Sequence, residues 1–140
     1  MKRNRFVAMI MAVICICLMI VPAVAVQTRA SDQIMKYSVD VTPGGGVLKV
    51  RFSVTGTGVK SKLGCESINV YQKSGSSWKL SESWSESDTG MTKKNTTLYV
   101  NTITCGGKAG TEYKVVVTIF AEDSAGRDSR TTTTYVTGKA

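Results

Sequence analysis

Four cysteines, ten carboxylates and no histidine set the chemistry open to this 140-residue chain. Without imidazole there is no Ser-His-Asp or Cys-His catalysis and no histidine-ligated metal. Cys15 and Cys17 stand inside an apolar run near the N-terminus, where a cysteine behaves as a small hydrophobe. That leaves Cys65 and Cys105, too few for a closed four-ligand zinc site. The carboxylates form two loose groups, Glu82, Glu86 and Asp88, and Glu122, Asp123 and Asp128. Paired acids can hydrolyse glycosides, and several oxygens of one flexible loop can hold calcium. Both groups fall at strand ends or in turns, where acids are ordinarily solvated, and neither has a repeated Asp-x-Asp spacing. Gly44-Gly45-Gly46 lies between two strand patterns and reads as a turn, not a phosphate cradle. The expectation is a protein that is not an enzyme, with no cofactor and no metal site.

The N-terminus reads as an export signal. Lys2, Arg3 and Arg5 precede an uncharged apolar stretch from Phe6 to Val26, the n-region and h-region of a secretory leader. A membrane-spanning helix needs about 20 apolar residues, so a tether left uncleaved is the alternative. Pro22 would break such a helix near its end. Ala23-Val24-Ala25 and Thr28-Arg29-Ala30 supply small-x-small cleavage patterns. Residues 1–30 are therefore expected to be a signal peptide with a helical core, cut after Ala25 or Ala30. Residues 31–140 are expected to be one secreted, extracellular domain.

Cleavage changes the electrostatics. The whole chain carries 18 basic and 10 acidic residues, a net charge of +8, and a pI near 9.5. Lys2, Arg3, Arg5 and Arg29 leave with the leader, so the remainder is about +4. Its lysines and arginines are scattered singly, without a basic block, which argues against nucleic acid as a partner. Two cysteines in an exported domain predict a Cys65–Cys105 disulfide. In the entropic account, closing that loop would stabilise the fold by roughly 4 kcal/mol.

The mature region, about 110 residues, is long enough for one core. Short alternating runs separated by Gly, Ser, Asn and Asp predict an all-β domain of seven strands. The first runs from Met35 to Val41. The second, Val47 to Thr55, alternates Leu48, Val50, Phe52 and Val54 with Lys49, Arg51 and Ser53. After a loop at Thr57–Lys62, the third runs from Cys65 to Lys73, with Ile68 and Val70 inward and Asn69 and Tyr71 outward. A Ser74–Ser77 turn leads to the fourth, Trp78 to Trp84. The fifth, Thr96 to Thr102, is expected to bury Leu98 and Val100. The sixth is Glu112 to Ala121 and the seventh Ser129 to Val136, joined by a Glu122–Gly126 hairpin.

Gly110-Thr111-Glu112-Tyr113-Lys114-Val115-Val116-Val117, with Ala121 and Gly126 beyond it, resembles the sixth and seventh strands of fibronectin type III and related immunoglobulin-like domains. The segment from Leu63 to Trp78 resembles small uncharacterised exported proteins of Gram-positive bacteria. The resemblance implies a seven-stranded antiparallel sandwich. It also implies a tyrosine-corner role for Tyr113, whose hydroxyl would bond to backbone just upstream. The chain departs from that pattern: Phe52 stands where the family has an early-strand tryptophan, and the cysteines do not match the antibody inter-sheet bridge. Some Gram-positive surface domains are stapled by a Lys–Asn isopeptide bond between first and last strands. No asparagine follows Asn101, so the last strand cannot supply one, and nothing in the sequence points to a Lys–Asp version. Asn95-Thr96-Thr97 matches a glycosylation sequon but reads as a surface loop.

Alternation along the sixth strand turns Tyr113, Val115, Val117 and Ile119 inward and Val116 and Phe120 outward. With Tyr71 and Tyr135, those two are expected to form an exposed patch, and Tyr99 is also expected to face out. Contiguous exposed apolar area of that kind marks interaction surfaces, and aromatic rings suit protein contact or stacking on sugars. The expected function is a non-enzymatic binding module for a protein or a glycan. The alternatives are a structural envelope protein assembling through strand edges and, further off, a small glycan-active enzyme.

Overall fold

A computed structural model describes residues 32–140, all-β in six antiparallel strands. The predicted signal peptide at 1–30 lies outside the described residues, among which no helix is long and apolar enough to cross a membrane. The strands are β1 (Ile34–Gly44), β2 (Val47–Ser74), β3 (Ser77–Ser85), β4 (Thr92–Gly106), β5 (Glu112–Asp123) and β6 (Gly126–Thr137). They form one sheet in the order β1-β2-β5-β6, with β3 and β4 also pairing to β2.

The expected count of seven is corrected by β2, which runs for 28 residues and absorbs the predicted second strand, loop and third strand. Gly56 and Gly58 with a polar neighbourhood read locally as a loop. The chain instead stays extended there and keeps its partner: Lys60 is opposite Thr96 and Lys62 opposite Lys94 on β4. The register slips between Thr55 and Lys60, a bulged corner of the kind that bends a strand without ending it. Before the corner, β2 pairs with β1 and β4. After it, β2 pairs with β3, β5 and the first residues of β4. The sheet folds over on itself there and encloses one core.

That core is built by period-2 alternation. Leu48, Val50, Phe52 and Val54 from the first half of β2 are fully buried, as are Leu63, Ile68 and Val70 from the second half and Val115, Val117 and Ile119 from β5. Each such side chain contributes about 1.5–3 kcal/mol by leaving water. Met91, just ahead of β4, completes the packing. Close approach explains Gly64: a Cβ there would lie 2.3 Å from the Met91 carbonyl oxygen.

The faces of β4 are the reverse of those predicted. Leu98 and Val100 are exposed, whereas Ile103 and Cys105 are buried and Tyr99 packs against the core. Registration decides this, because directly opposed residues share a face. Val54 faces Tyr99, Val50 faces Ile103 and Leu48 faces Cys105, so the inward set of β2 carries its partners inward. Tyr99 meets Phe52 edge-on at 5.8 Å, and its hydroxyl donates to the Gly90 carbonyl at 2.8 Å.

Cys65 and Cys105 are both free thiols, so the predicted disulfide is absent. They occupy different parts of the core. Cys105 is opposite Leu48 near the start of β2, while Cys65 lies past the corner, opposite Ile119. The Cys65 Sγ is engaged by the carbonyls of Ser67 and Thr118, each at 3.3 Å. Burial pushes both thiols up to about 12.

Candidate functional site

The outer surface of β3, β2, β5 and β6 carries the densest group of rings and cations. Registration lines up Leu80 on β3, Tyr71 on β2, Lys114 on β5 and Tyr135 on β6 in one row across four strands. The β2–β3 hairpin sets the next position. Gly75, at φ 63°, allows the tight turn, the Ser77 hydroxyl donates to the Ser74 carbonyl at 3.0 Å, and Lys73 is thereby opposite Trp78.

Lys114 is the hub. Its Nζ lies 4.6 Å from the Tyr71 ring centroid and 5.6 Å from that of Trp78. The Lys73 Nζ stands 5.9 Å from the Trp78 ring centroid. Trp78 and Tyr135 start from strands separated by β2 and β5, yet their rings lean together to a centroid distance of 5.7 Å, tilted by 56°. Beside them opens a groove of about 460 Å3, lined by Lys73, Trp78, Glu112, Tyr113, Tyr135, Val136 and Thr137. Lys73 and Glu112 pair across its rim at 2.7 Å. Both are well exposed, so the pair orients the rim and adds little stability. Tyr135 is 65% exposed and Leu80 57%, an unusual degree for large apolar groups on one face of a sheet.

Of the expected patch, Tyr71 and Tyr135 share this row, and Val116 sits on the same strand face, opposite Asn69 and Thr133. Phe120 does not belong to it. It is fully buried at the far end of β5, under the Arg127 guanidinium at 3.7 Å from its ring centroid and Lys62 at 5.8 Å. Alternation alone places Phe120 outward, and it is. What covers it is Arg127 from β6, held by Glu86 at 2.5 Å, Glu122 at 3.1 Å and Glu66 at 3.3 Å. The Arg127 hydrogen bond keeps Glu86 below the usual carboxylate range against the opposing effect of burial, with Lys62 adding to the shift.

The remaining sequence candidates have structural partners. The Tyr113 hydroxyl accepts the Lys108 backbone N–H at 2.8 Å, five residues upstream. Glu82 accepts from Trp84 Nε1 and from the Gly106 N–H. Asp88 accepts the Ser85 N–H at 2.7 Å. In the Glu122–Asp128 hairpin, Glu122 turns to Arg127, Asp123 to Lys60, and Asp128 to the N–H of Gln33.

Trp78, Lys73, Lys114 and Leu80 were missed as site residues. The two-residue Gly75-Ser76 turn was the signal available for Trp78, because it sets Lys73 against Trp78. Lys114 and Leu80 required the cross-strand registers. No family model matches this chain, and no curated protein matches it.

Proposed function

We propose that the chain is an exported, non-enzymatic module that binds a glycan or a protein through the outer face of β3, β2, β5 and β6. The observation that carries this reading is the convergence of Tyr71, Trp78 and Tyr135 around Lys114 beside an open groove. Rings supply broad, flat contact area, and the flanking lysines add attraction for carboxylate or sulfate groups. A mature charge of about +4 acts in the same direction at long range. An acidic polysaccharide is the ligand whose chemistry this face fits best.

We read the architecture as an immunoglobulin-like sandwich in which β2 contributes one strand segment to each layer. One layer is then β1, the first half of β2 and β4. The other is β3, the second half of β2, β5 and β6. Counted by segments, that is the seven-strand layout of fibronectin type III domains, and the Tyr113 hydrogen bond to Lys108 is what a tyrosine corner requires.

The test is a glycan array and a pull-down with the exported protein, repeated with Trp78→Ala and Tyr135→Ala. Retained acidic glycans that are lost in both variants support the reading. A protein retained instead keeps the face and changes the partner class. Unchanged binding in both folded variants removes the face as the site.

A further inference from the structure

Away from the aromatic face, at the bend of β2, a lysine points into the protein. Lys60 is 4% exposed, and Gly56 makes room for it: a Cβ at that position would stand 2.6 Å from Lys60 Cγ. The Lys60 Nζ lies 2.5 Å from the Gln33 side-chain oxygen Oε1 and 2.8 Å from Asp123 Oδ2. Gln33 is equally buried at 4%, and its backbone is fixed on both sides. Its N–H donates to Asp128 Oδ2 at 2.5 Å, and its carbonyl accepts the Thr57 N–H at 3.1 Å. Asp128 is 2% exposed, and its second oxygen, Oδ1, has no hydrogen-bond partner among the described residues. The segment ahead of β1, the corner of β2 and the β5–β6 hairpin thus meet around one amine, one carboxamide and two acids.

An ion pair would need only Lys60 and Asp123. The added feature is an acyl group held against the amine, with Lys60 and Gln33 both buried and the Asp123 side chain reaching solvent at 25% exposure. A C=O bond spans about 1.23 Å, so Nζ stands no more than about 3.7 Å from Gln33 Cδ. Reacting atoms in productive intramolecular pairs lie about 3–3.5 Å apart. Fixed geometry of this kind replaces the activation that an enzyme would otherwise provide.

We propose that Lys60 and Gln33 join in the folded chain as an intramolecular isopeptide bond. Asp123 takes one proton from the Lys60 ammonium. The freed lone pair attacks Gln33 Cδ, the Nζ–Cδ bond forms, and the carbonyl π pair moves onto Oε1. When that pair returns, the Cδ–Nε2 bond breaks. A second proton from Nζ passes to Nε2, which departs as ammonia. Ammonia then takes the proton held by Asp123 and leaves as ammonium, so the carboxylate is regenerated. No oxidant or co-reactant is required. Asp128 acts as a positioning residue that holds the Gln33 backbone. The bond would tie the first residues after the export signal to the corner of the fold, 27 positions along the chain.

The experiment is peptide mapping by tandem mass spectrometry on protein purified from cells expressing the full chain, with the intact mass measured in parallel. The expected result is a mass lower by one ammonia and a branched peptide joining Gln33 to Lys60 in most molecules. Branching distinguishes this bond from ammonia lost by cyclisation of a terminal glutamine or an asparagine. Gln33→Ala and Lys60→Arg should each abolish the branched peptide. Recovery of Gln33 and Lys60 in separate linear peptides from most wild-type molecules overturns the proposal, whether or not the variants fold.

Discussion

The ammonium of Lys114 on β5 lies over the ring of Tyr71 on β2, 4.6 Å from its centroid, at the centre of the exposed face. The contact is available because the two residues are registered directly opposite each other on adjacent strands. A cation over an aromatic ring near the surface contributes about 0.5–1 kcal/mol. Lys114→Met, which keeps much of the stem packing, should therefore lower unfolding free energy by about that amount. Urea denaturation measures it, and a matching loss in Tyr71→Leu that does not add to the first would establish the pairing.

Trp78 and Phe120 should separate cleanly by phenotype. Trp78→Ala removes a groove wall and is expected to cost binding while the fold survives. Phe120→Ala empties a buried site and should cost about 3–5 kcal/mol. Denaturant midpoints distinguish the two, and a Phe120→Ala change below about 1 kcal/mol would contradict its burial under Arg127.

Cys65 and Cys105 are buried with their thiols raised to about 12, so at neutral pH they are protonated and shielded. Iodoacetamide should leave both unmodified in the native protein and alkylate both after unfolding without reductant. Mapping the peptides that carry them is the measurement. A requirement for reductant before alkylation would mean a bridge that the two sites do not make here.

Acid should weaken the fold. Glu86 is held below its ordinary range chiefly by the Arg127 hydrogen bond, with Lys62 adding to the shift. A depressed carboxylate contributes stability that is present above its unfolded pKa, near 4, and is lost as pH falls through the folded value. Urea midpoints should hold from neutral pH down to about 5 and fall below about 4. Glu86→Gln should reduce that fall. Added salt should blunt the effect, since these pairs are partly exposed.

Tyr113→Phe keeps the buried ring and removes the acceptor for the Lys108 N–H. Leaving that donor without its partner should cost about 1–3 kcal/mol. Hydrogen exchange at the Lys108 amide would rise with it, and unchanged exchange would mean that the hydroxyl does not hold the chain ahead of β5.

Much of the fold was written in local pattern. Alternation in Val47–Thr55 and along β5 identified the buried face of each, and Gly75, Gly45 and Gly46 marked turns that the backbone makes with positive φ. The outward positions of Tyr71 and Tyr135 followed from the same period. Four things did not follow. The bend at Gly56–Lys60 joins two segments into one strand because β4 bends with it, and a pairing partner is invisible in a local window. The faces of β4 reverse because they are inherited from Leu48, Val50 and Val54 across the ladder. Phe120 is covered because Arg127 returns over it from the next strand, while Lys60 turns inward because Gln33, held by Asp128, and Asp123 arrive from two distant parts of the chain, the segment ahead of β1 and the β5–β6 hairpin. Sequence alone determined which residues alternate and where the backbone can turn, since those depend on each residue and its immediate neighbours. Tertiary structure decided which side chains meet, because registration and coverage are set by strands far apart in the chain.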